Sequence, residues 1–76
     1  MPPLPTLRGR EVVEVFEDLG WSIARQHGSH IIMIREGHIA TLSIPDHKEV
    51  AKGTLRGIIR SADITVHEFC EALEKH

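Results

Sequence analysis

The spacing of the apolar residues changes at Gly20, and this change constrains the fold more than any other feature of the sequence. Before Gly20, apolar residues recur at intervals of three and four, as on one face of an α-helix: Val12, Val15, Phe16 and Leu19. After Gly20, apolar and polar residues alternate, as they do in a β-strand. The sequence therefore predicts a helix over residues 9–19 and a strand over residues 21–27.

The junction itself has the residues of a helix end. Gly20 stands where a left-handed residue closes a helix, and Trp21 stands at the next position, from which its side chain can pack back on Phe16. The sequence therefore predicts that Trp21 belongs to the core.

Two more strands are predicted, each after a short turn. Gly28-Ser29 precedes a strand over residues 30–35, and Glu36-Gly37 precedes a strand over residues 38–44 that Pro45 ends. The middle strand has apolar residues at successive positions, which is typical of a central strand covered on both faces.

The remainder of the chain is predicted to be helical. Residues 53–60 form a short helix after a polar loop over residues 46–52, and Thr65 with Glu68 forms a capping box for a last helix, in which Cys70 lies on the buried side. The order is α-β-β-β-α with an extra C-terminal helix, an α+β domain with a three-stranded antiparallel sheet. We expect residues 1–76 to form one domain, with residues 1–7 as an extended or disordered lead-in.

The composition is that of an ordinary globular protein, with 41% hydrophobic and 26% charged residues. The single cysteine cannot form an internal disulfide, no apolar run is long enough to span a membrane, and the start lacks a secretory pattern. We therefore expect a cytoplasmic protein without membrane contact or N-terminal processing.

Positive charge is concentrated in the middle of the sequence. Residues 20–60 carry six lysines or arginines against three acidic residues, whereas both ends are acidic and the net charge is -2. A basic middle suits a polyanion bound on one face, although chance clustering in a short chain would give the same pattern.

The histidines and the cysteine were considered as reactive groups. His27 and His30 are the only histidines with ligand-like spacing, and a structural zinc site needs four ligands, so we expect no metal. We expect no nucleophilic cysteine either, because Cys70 is predicted to face the core.

Metal-free RNA cleavage needs a proton-transferring group and positive charge around the phosphate. His30 can supply an imidazole, the side chain that most often transfers protons in enzymes, and Gly28 lets the backbone come close to a substrate. Arg25, Lys52 and Arg56 can supply the charge. Taken alone, His30 is better explained by a structural role, in which it begins a strand and hydrogen-bonds to the turn.

Four stretches taken together resemble the HicA family of mRNA interferase toxins, over residues 8 to about 73: Gly20-Trp21, Arg25 to His30, Ile44-Pro45-Asp46-His47 and Gly53 to Ile59. The resemblance implies a fold like the double-stranded RNA-binding domain, mRNA cleavage without the ribosome, and a HicB-type antitoxin that covers the active face. The family's catalytic histidine, in Gly-Ser-His, corresponds to His30. We expect six residues to contact RNA: Arg25, Gln26, Ser29, Lys52, Thr54 and Arg56.

Two positions depart from the family pattern. Arg8 precedes the first helix where the family often has serine or threonine, and Ala62-Asp63 follows the second helix where it often has glycine. Two other functions stay open: a non-catalytic RNA-binding module of the same fold, and a plain protein-interaction domain. The sequence leaves open whether His27 or His47 shares the proton transfer.

Overall fold

The computed structural model describes residues 4–75, which form one helix, three strands and two further helices. The elements, in chain order, are α1 Gly9–Asp18, β1 Ser22–His27, β2 His30–Ile34, β3 Leu42–Pro45, α2 Lys52–Ser61 and α3 Val66–Glu74. This order confirms the predicted α-β-β-β-α arrangement with an added C-terminal helix. No helix within residues 4–75 has the length and apolar character needed to cross a membrane.

Helix α1 ends as its sequence predicts. Gly20 has a φ of 98°, and the N–H groups of Gly20 and Trp21 donate to the carbonyl oxygens of Glu17 and Phe16 at 3.1 and 2.9 Å. These two bonds define a Schellman closure. Trp21 is buried, and its ring meets that of Phe16 edge to face with 6.4 Å between centroids. The closure thus turns the chain from α1 into β1 and adds an aromatic side chain to the core.

The three strands form an antiparallel sheet in the order β1-β2-β3. The helices cover one face, where the alternate residues of β2 and β3 are buried: Ile31, Met33, Leu42 and Ile44. The expected cover on both faces of β2 is wrong for the described part of the chain, because Ile32 is half-buried and Ile34 is 44% exposed. We call the uncovered side the open face; its members are Ser22, Arg25, His27, His30, Ile32, Ile34 and Ser43.

Strand β3 is shorter than predicted and begins at Leu42 instead of His38. The Glu36-Gly37 turn forms, with the His38 N–H donating to the Arg35 carbonyl at 3.0 Å. The His38 ring then lies 5.0 Å from the Trp21 ring, and its Nδ1 accepts from the N–H of Ala40 at 3.2 Å. With these contacts, residues 38–41 lie outside the ladder of β3. The alternation of apolar and polar residues did not reveal this shorter strand.

The segment before α1 is attached to the core. Leu4 and Leu7 are buried, and the Leu7 carbonyl accepts from the N–H of Val50 at 2.8 Å in an isolated β-bridge. Residues 1–3 of the expected lead-in lie outside the described residues. Residues 4–7 therefore add apolar contacts beneath the loop that leads to α2.

The two departures from the family pattern are accommodated locally. The N–H of Arg8 donates to the Glu11 carboxylate at 2.9 Å, which satisfies one backbone group at the start of α1. After α2, Asp63 adopts a left-handed φ of 63°, the conformation that glycine takes most easily. The capping box of α3 forms as predicted, with Thr65 and Glu68 each accepting a 3.0 Å bond from the other's N–H.

Candidate functional site

A tight turn places two histidines opposite each other. Gly28 and Ser29 connect β1 to β2, and Gly28 has a φ of 61°, which suits the first position of a two-residue hairpin turn. His27 and His30 are therefore directly paired across the two strands, and both lie on the open face. Side chains at such paired positions have Cβ atoms about 5 Å apart.

The His30 imidazole is held at one of its two nitrogens. Its Nδ1 lies 3.2 Å from the hydroxyl oxygen of Ser43, on the neighbouring strand β3. Among residues 4–75, the other ring nitrogen, Nε2, has no hydrogen-bond partner, and the side chain is exposed. A ring held in this way can exchange a proton with a bound molecule through Nε2. Ser43 was not among the residues that the sequence singled out.

A bulge brings Arg25 onto the same face as His30. The register of β1 against β2 shifts between Ile23 and Arg25, so Arg25 pairs with Ile32 and regular alternation is interrupted. Without this shift, alternation would turn Arg25 toward the helices. A bulge commonly redirects a side chain in this manner. Arg25 is consequently a diagonal neighbour of His30, within reach of a long side chain.

The turn is tied to the rest of the molecule through Asp46. The Asp46 carboxylate accepts a hydrogen bond from Gln26 Nε2 at 3.3 Å and one from Arg10 at 3.1 Å. The backbone N–H of Asp46 donates to the Ser29 carbonyl at 2.7 Å. Gln26 Nε2 also donates to the Gly28 carbonyl at 3.3 Å. Gln26 and Ser29, both predicted to contact RNA, thus have a structural role in holding the hairpin. Asp46 was missed because nothing nearby in the sequence marks its partners.

Three of the predicted RNA-contacting residues lie on α2. Lys52, Thr54 and Arg56 are exposed on a helix whose buried residues, Leu55 among them, pack on the covered face of the sheet. Neither an ion pair nor a hydrogen bond joins them to His30 within the described chain. The structure therefore brings Arg25 onto the same face as His30, whereas Lys52, Thr54 and Arg56 are exposed on α2 without a direct contact to His30.

Two further histidines within residues 4–75, His47 and His67, lie outside the hairpin. Within residues 4–75, no group of three or more His, Cys, Asp and Glu side chains is arranged to hold a metal ion. His47 is exposed on the loop after β3, where its backbone carbonyl accepts from the N–H of Gly9 at 2.9 Å. His67 pairs with Glu71 on the surface of α3 at 2.8 Å. The His67 side chain is thus engaged on α3, whereas the contact of His47 involves its backbone, and its side chain has no hydrogen-bond partner within residues 4–75.

Comparison with known protein families shows to which family the chain belongs. A family model for the HicA toxin of bacterial toxin-antitoxin systems matches residues 9–64. The chain belongs to the HicA toxin family. The matched span runs from the first residue of α1 to Ile64, between α2 and α3, and includes every predicted site residue. A comparison with curated proteins finds no match.

This HicA toxin is the toxin component of a toxin-antitoxin system, which implies an antitoxin partner. Helix α3 follows the matched span, yet its Phe69 is fully buried and its ring centroid lies 5.4 Å from that of Phe16. Helix α3 is therefore part of the same core as the matched residues.

Proposed function

We propose that this HicA toxin is a metal-independent endoribonuclease that cleaves mRNA, with His30 transferring the proton. The observation that carries the proposal is the placement of His30 on the open face, with Nδ1 bonded to Ser43 and Nε2 free to meet a substrate. Because mRNA is its substrate, we propose that the toxin acts in the cytoplasm.

The proposed reaction uses the 2′-hydroxyl of the RNA as the nucleophile. His30 Nε2 takes the hydroxyl proton while the 2′-oxygen attacks the adjacent phosphorus, and the 5′-oxygen of the next nucleotide leaves with a proton from a general acid. Arg25, on the same face, stabilises the negative charge that develops on the phosphate oxygens. Cleavage therefore produces a 2′,3′-cyclic phosphate and a free 5′-hydroxyl.

The open face also suits the antitoxin, for which we propose a HicB-type protein. On β2, Ile32 is half-buried and Ile34, at the end of the strand away from His30, is 44% exposed, so a partner seated along this face would bury apolar surface. The same contact would cover His30 and block RNA. Inhibition then follows from occlusion of the site, without any change in the shape of the toxin.

The direct test compares His30→Ala with the wild type for mRNA cleavage in vitro and for growth arrest on expression. Loss of a group that transfers a proton lowers the rate by about 10² to 10⁴. His27→Ala is the matched control, because it removes an imidazole from the paired position on the same face. We expect it to keep most of the activity, since the described residues provide no hydrogen bond that would orient the His27 ring.

Three outcomes would contradict parts of the proposal. Undiminished cleavage by His30→Ala would remove His30 from the mechanism. An equal loss in His27→Ala would assign the proton transfer to both histidines. RNA binding that weakens with salt but yields no product in the wild type would favour a non-catalytic RNA-binding module instead.

A further inference from the structure

We infer that Ser43 is a positioning residue that holds His30 Nδ1 and thereby makes Nε2 the atom that transfers the proton. This inference rests on the proposed function, because it concerns how His30 performs that reaction. The interatomic contact that carries it is the 3.2 Å separation between the Ser43 hydroxyl oxygen and His30 Nδ1.

The strand register explains why these two side chains meet. Ser43 pairs with Ile32, and His30 pairs with Pro45, so Ser43 and His30 are diagonal neighbours on the open face. The flanking residues Leu42 and Ile44 are buried in the core and fix β3 in this register. The hydroxyl is therefore presented to the imidazole by the core packing of β3 and not by a mobile loop.

The hydroxyl matches the requirements of the imidazole in both of its protonation states. The charged ring is a donor at both nitrogens, so its Nδ1–H donates to the Ser43 oxygen. In the neutral ring, the inferred arrangement has the Ser43 oxygen accepting from Nδ1–H, which leaves the lone pair on Nε2, where the 2′-hydroxyl proton is taken. With the oxygen as acceptor, the bond persists throughout the proton transfer. A hydroxyl that donated to Nδ1 would instead leave the proton on Nε2, so the tautomer of His30 distinguishes the two directions.

The test uses Ser43→Val and Ser43→Thr as a matched pair. The two side chains have nearly the same shape and both favour strands, but only threonine keeps the hydroxyl. We expect Ser43→Val to lower kcat about 3- to 10-fold, the amount associated with one neutral hydrogen bond, with little change in KM. Ser43→Thr should restore most of the rate.

A second readout does not depend on activity. The ¹⁵N chemical shifts of His30 report which nitrogen carries the proton, and they can be measured without RNA. In the wild type and in Ser43→Thr, we expect neutral His30 to carry its proton mainly on Nδ1. In Ser43→Val, we expect the population of the Nε2–H tautomer to increase. The melting temperatures should stay similar, since residue 43 is exposed.

The outcomes separate this inference from the proposed function. Identical tautomer populations in Ser43→Val and the wild type would overturn the role of Ser43, even if His30 proved essential. Equal kcat for Ser43→Val and Ser43→Thr would do the same. A tautomer shift in a protein that fails to cleave RNA would instead overturn the proposed reaction, while the positioning of the His30 ring by Ser43 would stand.

Discussion

Gly9 is the residue at which the first turn of α1 approaches the chain after β3. Its N–H donates to the carbonyl of His47, and a Cβ built on Gly9 would overlap the carbonyl oxygen of Pro45 and lie 3.0 Å from the Cα of Asp46. Glycine is thus required for close packing and not for an unusual backbone angle. Because Asp46 also holds the Ser29 turn, this contact bears on the geometry around His30.

We expect Gly9→Ala to lower the free energy of unfolding by about 1 to 3 kcal/mol, because the added methyl group must displace backbone atoms. Gly57→Ala is the matched control. A Cβ at Gly57 meets nothing within 4 Å, and alanine there favours the helix by about 1 kcal/mol. Urea denaturation of both variants measures the difference. Equal free energies of unfolding for the two variants would show that the backbone at Pro45 and Asp46 moves at little cost to make room for the added methyl group.

The residues that the sequence revealed are those whose partners are close along the chain. Trp21 and the Thr65-Glu68 box could be predicted because each motif lies within a few residues. Ser43 and Asp46 could not, because their partners are brought to them by strand pairing and by the packing of α1. His30 itself was identified through the family resemblance, and its role as the catalytic residue stays a prediction.

At the scale of elements, the number and order of helices and strands followed from periodicity, whereas strand ends and faces did not. A bulge reverses which residues of β1 share a face, and a one-residue shift of this kind is invisible in a short polar strand. Likewise, β3 begins at Leu42, and His38 contacts Trp21 instead of joining the ladder. Both features depart from the regular alternation on which the strand predictions relied.

Helix α2 carries a row of positive charge along its exposed side. Lys52, Arg56 and Arg60 are spaced by four residues, which places them on one side of the helix, and none forms an ion pair within residues 4–75. Such a row suits an RNA backbone that continues beyond the open face, around the edge of the sheet.

We therefore expect Lys52→Gln to weaken RNA binding and to reduce the slope of log affinity against log salt by about 0.7, the value for one phosphate contact with a single strand. Lys75→Gln, at the end of α3, is the matched control because it makes the same change in charge. Binding is measured in the His30→Ala background, so that cleavage does not interfere. Equal slopes for the two variants would place the RNA away from α2.

At the scale of the whole molecule, the fold spreads the basic middle of the sequence over several elements. The pairing of strands places Arg25 on the open face, and Lys52, Arg56 and Arg60 lie on the exposed side of α2. The charge pattern along the chain suited a polyanion as well as it suited chance clustering, and it could not predict which elements would share the charge.

The proposed metal independence concerns the whole molecule, because ligands from any element could combine to form a site. We expect cleavage to proceed unchanged in excess EDTA, since the proposed reaction relies on an imidazole and on arginine for charge stabilisation. The measurement is the initial cleavage rate of an RNA oligonucleotide with and without chelator. Activity lost to EDTA and restored by zinc would require a metal in the mechanism.

Strand β1 carries two side chains of the open face beside His30, yet all six of its residues are exposed. Substitutions at exposed positions usually change stability by no more than about 0.5 kcal/mol. The strand that the proposed mechanism puts next to the scissile phosphate can therefore change in sequence while the core stays the same. The proposed function then predicts that related toxins differ in RNA preference through β1, and that an antitoxin seated on the open face changes with its toxin.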